Sequence, residues 1–145
     1  MKQARPIDPD FESRIRSSFD QQGIMKTIGA QLLKVAPGEV RIELPWSKAV
    51  TQQHGFVHAG ILSTIADNAC GYAAYTLMPA GSEVLGVENK INFLAPAKGE
   101  RFVSVGRVVK AGRTLAVCTG EVWAYDNGKE TLVAVMQTTM MALVK

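Results

Sequence analysis

One carboxylate interrupts the longest run of small and apolar residues in this 145-residue chain. The run, Gly60 to Met78, reads GILSTIADNACGYAAYTLM, and the acid is Asp67. An aspartate is rarely buried unless it is paired or used. Held on a rigid helix, it could make water nucleophilic or attack an electrophilic carbonyl itself. Paired with an arginine or lysine, it would be structural. Immediately upstream lies the polar loop QQHGFVHAG, with Gln52, His54, Gly55, Phe56 and His58. The loop runs into the start of the helix near Gly60. Amides there lack intrahelical partners and favour developing negative charge. That suits a carbonyl becoming an oxyanion. Two other chemistries find no support. No G-x-S-x-G elbow is present for Ser-His-Asp catalysis, and no phosphate loop for nucleotide hydrolysis.

These residues need a frame. A helix over 60–78 would be roughly 28 Å long. Ile61, Ile65, Ala69, Ala73 and Leu77 fall on one face, with Leu62, Ala66, Cys70 and Ala74 beside them. A helix apolar almost all round belongs inside a protein. Residues 1–10, with Pro6 and Pro9, read as a loose arm. Phe11, Ile15 and Phe19 then predict a short amphipathic helix over 9–18, with Gly23 ending it or sitting just past its end. Gln31 to Val35, the Pro37-Gly38 turn and the alternation of Val40, Ile42 and Leu44 predict a hairpin that Pro45 stops. After the turn at Pro79-Ala80-Gly81 the text is β in texture. Strands are expected over 85–93, 100–110, 114–125 and 131–143, the last two joined by Asp126-Asn127-Gly128-Lys129. Short links predict that these four strands form an antiparallel meander. One apolar helix on one antiparallel sheet is an α+β layer arrangement.

Length and composition fit one domain over residues 1–145, with an arm and short helix over 1–22 and a core over 24–143. The chain is 47% hydrophobic and 20% charged, with a net charge of +3. Its Lys and Arg are scattered, which suits a small anionic ligand and not a nucleic acid. Cys70 and Cys118 sit in apolar contexts without metal-ligand or C-x-x-C spacing, so they are expected to be reduced core residues of a cytoplasmic protein. No signal peptide or membrane-spanning run is read.

Q-x-x-G-x-x-H-x-G, followed by an acid nine places after the His, resembles the hotdog-fold thioesterases of the phenylacetic-acid-degradation (PaaI-like) group. The matching positions are Gln52, Gly55, His58, Gly60 and Asp67. INFLAPAKGE, the LAV of GRTLAV and the closing strands are also similar, so the likeness covers residues 24–143. The resemblance implies a hotdog fold, in which a curved antiparallel sheet of about six strands wraps the long helix. It implies a homodimer, commonly paired into a homotetramer, with active sites between subunits. It implies hydrolysis of an acyl-CoA, with an aryl or a short- to medium-chain acyl group, without metal or cofactor. Asp67 would activate water or attack directly. The oxyanion donor would be the amide of Ala59, where most relatives carry glycine, a residue freer to take positive φ. His58 would shape the loop and help polarise the carbonyl. Gln52 would orient water or the thioester. Phe56, with Tyr72 and Tyr75, could line an acyl pocket. Lys90 and Arg113, like Lys98 and Lys110, could meet the phosphates of CoA. Relatives often place a Ser or Thr near Gly86, where this chain reads LGVEN. A non-catalytic acyl-CoA-binding protein of the same fold is the alternative. A hydratase is disfavoured, because the residue five after Asp67 is Tyr72 and not His.

Overall fold

The computed structural model describes residues 6–144. Two short helices, α1 (Phe11–Gln21) and α2 (Gly23–Ile28), precede the hairpin of β1 (Gln31–Ala36) and β2 (Glu39–Pro45). A 3-10 turn over Lys48–Val50 and the polar loop lead to α3 (Ala59–Tyr75). Then come β3 (Ser82–Phe93), β4 (Arg101–Ala111), β5 (Leu115–Asp126) and β6 (Lys129–Val144). The six strands form one sheet in the order β1-β2-β4-β5-β6-β3, and every pairing is antiparallel. The sheet wraps α3, which packs on β2 through β6. This is the α+β arrangement of one long helix in a six-strand sheet.

Small residues let α3 sink into the sheet. Ala66, Ala69, Cys70, Ala73 and Ala74 are all buried on it. A methyl on Gly106 of β4 would lie 2.2 Å from the Ala69 carbonyl carbon, and one on Gly120 of β5 2.9 Å from the Cys70 Sγ. The Ser104 hydroxyl donates to the Ile65 carbonyl at 2.8 Å, so the polar atom at this contact is satisfied. Cys70 and Cys118 are free and buried, and burial raises both thiol pKa values, that of Cys118 to about 12. Both are therefore protonated core residues and poor nucleophiles.

The expected meander holds only for β4, β5 and β6. β3 pairs with β6 at the opposite edge, in register from Ser82↔Val144 to Phe93↔Ala134, while β4 pairs with β2. The link over 94–100 crosses the end of the sheet, and it is longer than the usual hairpin loop. Burial explains the order. In β4, Phe102 through Gly106 are buried on both faces, as a central strand requires. On β3, Leu85, Val87 and Phe93 are about half exposed, as at an edge.

The N-terminal region also differs from expectation. Gln22 takes extended backbone (φ −74°, ψ 111°) and ends α1; Gly23 sits just past that end, as expected, but also starts a second helix. α2 is stopped by Gly29 in the left-handed region, φ 75°. Met25 and Ile28, one turn apart, are its buried residues, a pattern too short to read as a helix from sequence. The arm is not loose over its described part. Asp8 is buried and pairs with Arg14 at 3.0 Å; residues 1–5 lie outside the described residues. The Arg14 guanidinium then donates to the carbonyls of Tyr75, Met78 and Pro79 at 3.1–3.2 Å and lies 4.1 Å from the Tyr75 ring centre. A cation at a helix C-terminus satisfies orphan carbonyls and opposes the dipole. This cap, with Pro79 beyond it, ends α3 at Tyr75, three residues before the expected Met78.

Gly106→Ala should cost about 3 kcal/mol or more, because its methyl meets helix backbone that cannot rotate away. Urea unfolding measures it. A midpoint within error of the parent would refute the close-contact account.

Candidate active site

The polar loop is built to start α3. Gln52 N–H bonds the Phe56 carbonyl at 2.9 Å, and Gly55 takes φ 85°, which favours glycine. The Gln52 Oε1 accepts from the His54 amide. Its carbonyl oxygen is thus used within the loop, and its Nε2 remains for a ligand. His54 is exposed and does not line the cavity at the helix start. His58 is the N-cap of α3, and its Nδ1 accepts from the Gly60 amide at 2.9 Å. A ring nitrogen that accepts carries no proton, so neutral His58 bears its hydrogen on Nε2. It can donate through Nε2, and its Nδ1 is not available as a base.

That bond has a second consequence. The Gly60 amide is spent on His58. The Ala59 amide, the first of the helix, makes no hydrogen bond within the chain among the described residues. Ala59 is helical, and Asn127 is the one non-glycine residue with positive φ among those described. Alanine in place of glycine therefore introduces no backbone strain here. Ala59 and Gln52, with Phe56, Leu62, Phe93 and Pro96, line an open cavity of about 490 Å³.

Asp67 lies elsewhere. Its carboxylate lines a second cavity, of about 280 Å³, on the side of α3 that faces β3 and the α1–α2 corner. Burial pushes its pKa above the usual aspartate value, and a hydrogen bond from the Asn89 side chain pulls partly the other way. A Cβ on Gly86 would stand 3.9 Å from the Asp67 Oδ1, so the position where relatives carry a hydroxyl is next to the acid. Gly86 and Asn89 are three apart and would face opposite sides of an unbroken strand. The bulge between Gly86 and Glu88 changes the phase and brings both to Asp67. Asn89 was not assigned from sequence, and a bulge leaves no local signal that would have marked it.

Eight residues separate Ala59 from Asp67, about 12 Å along a helix axis. Within one protomer Gln52, Phe56 and Ala59 share one cavity, which Gly55, His58 and Gly60 do not line, and the acid occupies another. Of the basic residues, Lys90 is exposed on β3, opposite Gln137 of β6. Arg113 lies at the β4–β5 turn beside Leu77, at the end of α3 away from Ala59. Tyr72 lines the Asp67 cavity, whereas Tyr75 is core, its hydroxyl donating to the Ser82 carbonyl at 2.9 Å. No helix among the described residues is long and apolar enough to cross a membrane.

A curved six-strand antiparallel sheet around one long helix is the hotdog fold, and the family match below makes the chain a thioester hydrolase. The chain belongs to the thioesterase superfamily, whose family model matches residues 54–131. It is 31% identical to human acyl-coenzyme A thioesterase 13 over 99 residues, which cover 68% of this chain and 70% of that protein. The crystal structure of a thioesterase family protein from Silicibacter pomeroyi superposes with a TM-score of 0.92 at 49% identity, covering 93% of this chain and 99% of that one. The PaaI protein of E. coli shares the fold, with a TM-score of 0.83 at 17% identity over 94% of this chain and 96% of that one.

His58→Ala removes the side-chain cap and should cost about 1 kcal/mol of stability. His58→Asn keeps an acceptor at the cap and should recover most of that loss. Thermal unfolding of the three proteins tests the role. Equal destabilisation by both substitutions would show that the ring, not the cap, matters.

Proposed function

We propose that this thioester hydrolase acts on acyl-CoA and that its catalytic centre is completed between two copies of the chain. The observation that carries the reading is the separation of Ala59 from Asp67. A nucleophile must approach the carbonyl carbon to about 3–3.5 Å while donors stand 2.7–3.1 Å from its oxygen. A gap of about 12 Å along the helix is too wide for one thioester to bridge, even with the aspartate leaning toward the helix N-terminus. The second copy is supplied by the edge of the sheet. β3 is 12 residues long and leaves one side unpaired, with Leu85, Val87 and Phe93 exposed. A long apolar edge strand is a site for pairing with another chain. Pairing of β3 with β3 gives a homodimer in which Asp67 of one copy can meet Ala59, His58 and Gln52 of the other.

In this reading the Ala59 amide and the His58 Nε2–H hold the thioester oxygen as it gains charge. Asp67 takes a proton from water, or attacks the carbonyl carbon and is then released by water. Either route yields the free acid and CoA, the thiolate taking up the proton. The Gln52 Nε2 orients the thioester or the water, while Gly55 and Phe56 shape the wall. Lys90, on the same edge strand as Gly86 and Asn89, is assigned to the phosphates of CoA. Arg113, at the far end of α3, is the weaker candidate.

Asp67→Asn should abolish thiol release from acyl-CoA, by about a thousandfold or more if the carboxylate is nucleophile or base. The parent should lose activity as pH falls, with the midpoint above the ordinary aspartate range, since the active form is ionised. Stability runs the other way. The folded state binds the Asp67 proton more tightly than the unfolded chain, so ionisation costs stability as pH rises above the unfolded value. Asp67→Asn should therefore raise Tm at pH 8 and leave it nearly unchanged at pH 3. Full activity in Asp67→Asn would sink the reading.

The shared centre has its own test. Ala59→Pro deletes the amide hydrogen at the first helical position, where proline is tolerated, and His58 already has the extended backbone (φ −61°, ψ 137°) that precedes proline. Ala59→Pro and Asp67→Ala should each be inactive alone. After subunit exchange at equal amounts, roughly a quarter of parental activity should return: half the dimers are mixed, and each carries one intact site. No recovery despite proven exchange would place the centre within a single subunit.

A further inference from the structure

The cavity beside Asp67 carries a hydrogen-bonded network that the hydrolytic step does not use. Asn68 Nδ2 donates to the Thr64 carbonyl at 3.0 Å, which fixes the orientation of that amide. Its Oδ1 must therefore accept, and the group facing it at 2.6 Å is the Gln22 Nε2. The second Nε2 hydrogen of Gln22 goes to the Tyr72 hydroxyl oxygen, also at 2.6 Å. Both Gln22 donors are then spent, and its Oε1 is left as an acceptor. The Tyr72 oxygen accepts from Gln22, so its own proton is available to Ser18 Oγ, 3.2 Å away, or to a ligand. All four residues line the same cavity as Asp67. Two carboxylic acids, Asp67 and Glu83, line it, and among the described residues no Lys, Arg or His does.

Resting on the reading of Asp67 as the reacting acid, we infer that this network reads the far end of the acyl group and that Gln22 is a specificity-determining residue. The preferred acyl group ends in a neutral hydrogen-bond donor, a hydroxyl above all. That hydroxyl can donate to the Gln22 Oε1 and accept from Tyr72. A methyl end would leave the Gln22 Oε1 without a partner as water is displaced. A carboxylate end would face acids and an acceptor. The discriminating group lies outside the family-matched segment 54–131: Gln22 and Ser18 come from the α1–α2 corner. Gln22 can reach the cavity because its extended backbone turns the chain there instead of continuing α1.

The test compares hexanoyl-CoA, 6-hydroxyhexanoyl-CoA and adipoyl-CoA. The parent should favour the hydroxylated ester over hexanoyl-CoA by about tenfold in kcat/KM, one hydrogen-bond difference of about 1.4 kcal/mol, with adipoyl-CoA slowest. Gln22→Met, which keeps length and removes the acceptor, should bring the ratio of hydroxylated to plain ester near one. Tyr72→Phe, which keeps the ring, should lower it as well and serves where Gln22→Met is poorly folded. A purely structural role would slow both esters and leave the ratio unchanged. Equal handling of the three esters by the parent, or a ratio that survives both substitutions, overturns the inference. Equilibrium binding of the hydroxylated and plain esters to Asp67→Asn separates the two proposals. A hydroxyl preference in binding that depends on Gln22, without turnover by the parent, keeps this inference and removes the hydrolytic one. Turnover without a preference does the reverse.

Discussion

The structure depends on one contact: the backbone of α3 lying against the backbone of β4. Gly106 has no side chain because the Ala69 carbonyl occupies the place a Cβ would take. Gly120 makes the same allowance for the Cys70 sulfur. With the helix drawn in this far, the alanine face of α3 is committed to β4 and β5. The opposite side is thereby committed too. Asp67 precedes Ala69 by two residues, about 200° round the helix. It must point away from the closest sheet contact, toward β3 and the N-terminal corner. The tight packing on one side thus sets where the acid is presented on the other.

Asp67 has no cationic partner among the described residues. It is held by the Asn89 side chain and by partial burial, and its pKa is raised in consequence. A structural aspartate on a buried helix would be paired, since pairing offsets desolvation. An unpaired one costs stability at neutral pH. That cost is intelligible where the ionised group has chemistry to do. Arg14 caps α3, and Arg41 and Arg107 bond Glu39.

Much of this was legible in the sequence because it is local. The long apolar run, the Pro37-Gly38 and Asn127-Gly128 turns and the alternation of Val40, Ile42 and Leu44 each specify their element within a few residues. The motif from Gln52 to Asp67 likewise pointed to the loop and the acid. What was not legible is set by distant partners. The placement of β3 beside β6 depends on which strand can be buried on both faces. The end of α3 depends on Arg14, more than sixty residues upstream. The Asn89 contact depends on a bulge. The Gln22 network joins residues up to 54 apart in sequence, and no spacing rule connects them.

Both unmet needs of the single chain lie along one side of it. Among the described residues, the helix start has an amide without a partner, and the sheet ends in a 12-residue strand with an open edge. A monomer would leave that edge in water, with apolar side chains exposed along it. Two copies paired through β3 would cover the edge and, in the reading proposed above, bring each acid to the other's donors. Folding alone would then be insufficient for activity. The N-terminal corner is not part of that shared arrangement. It is tied to its own chain through Arg14 and Gln22, whose bonds run to α3 of the same copy. Under the two readings proposed above, this connectivity implies a division of labour: the paired core would supply the chemistry, and each chain's own N-terminal corner would select the acyl group presented to it. Changes at the corner can therefore alter selectivity without passing through the dimer contact.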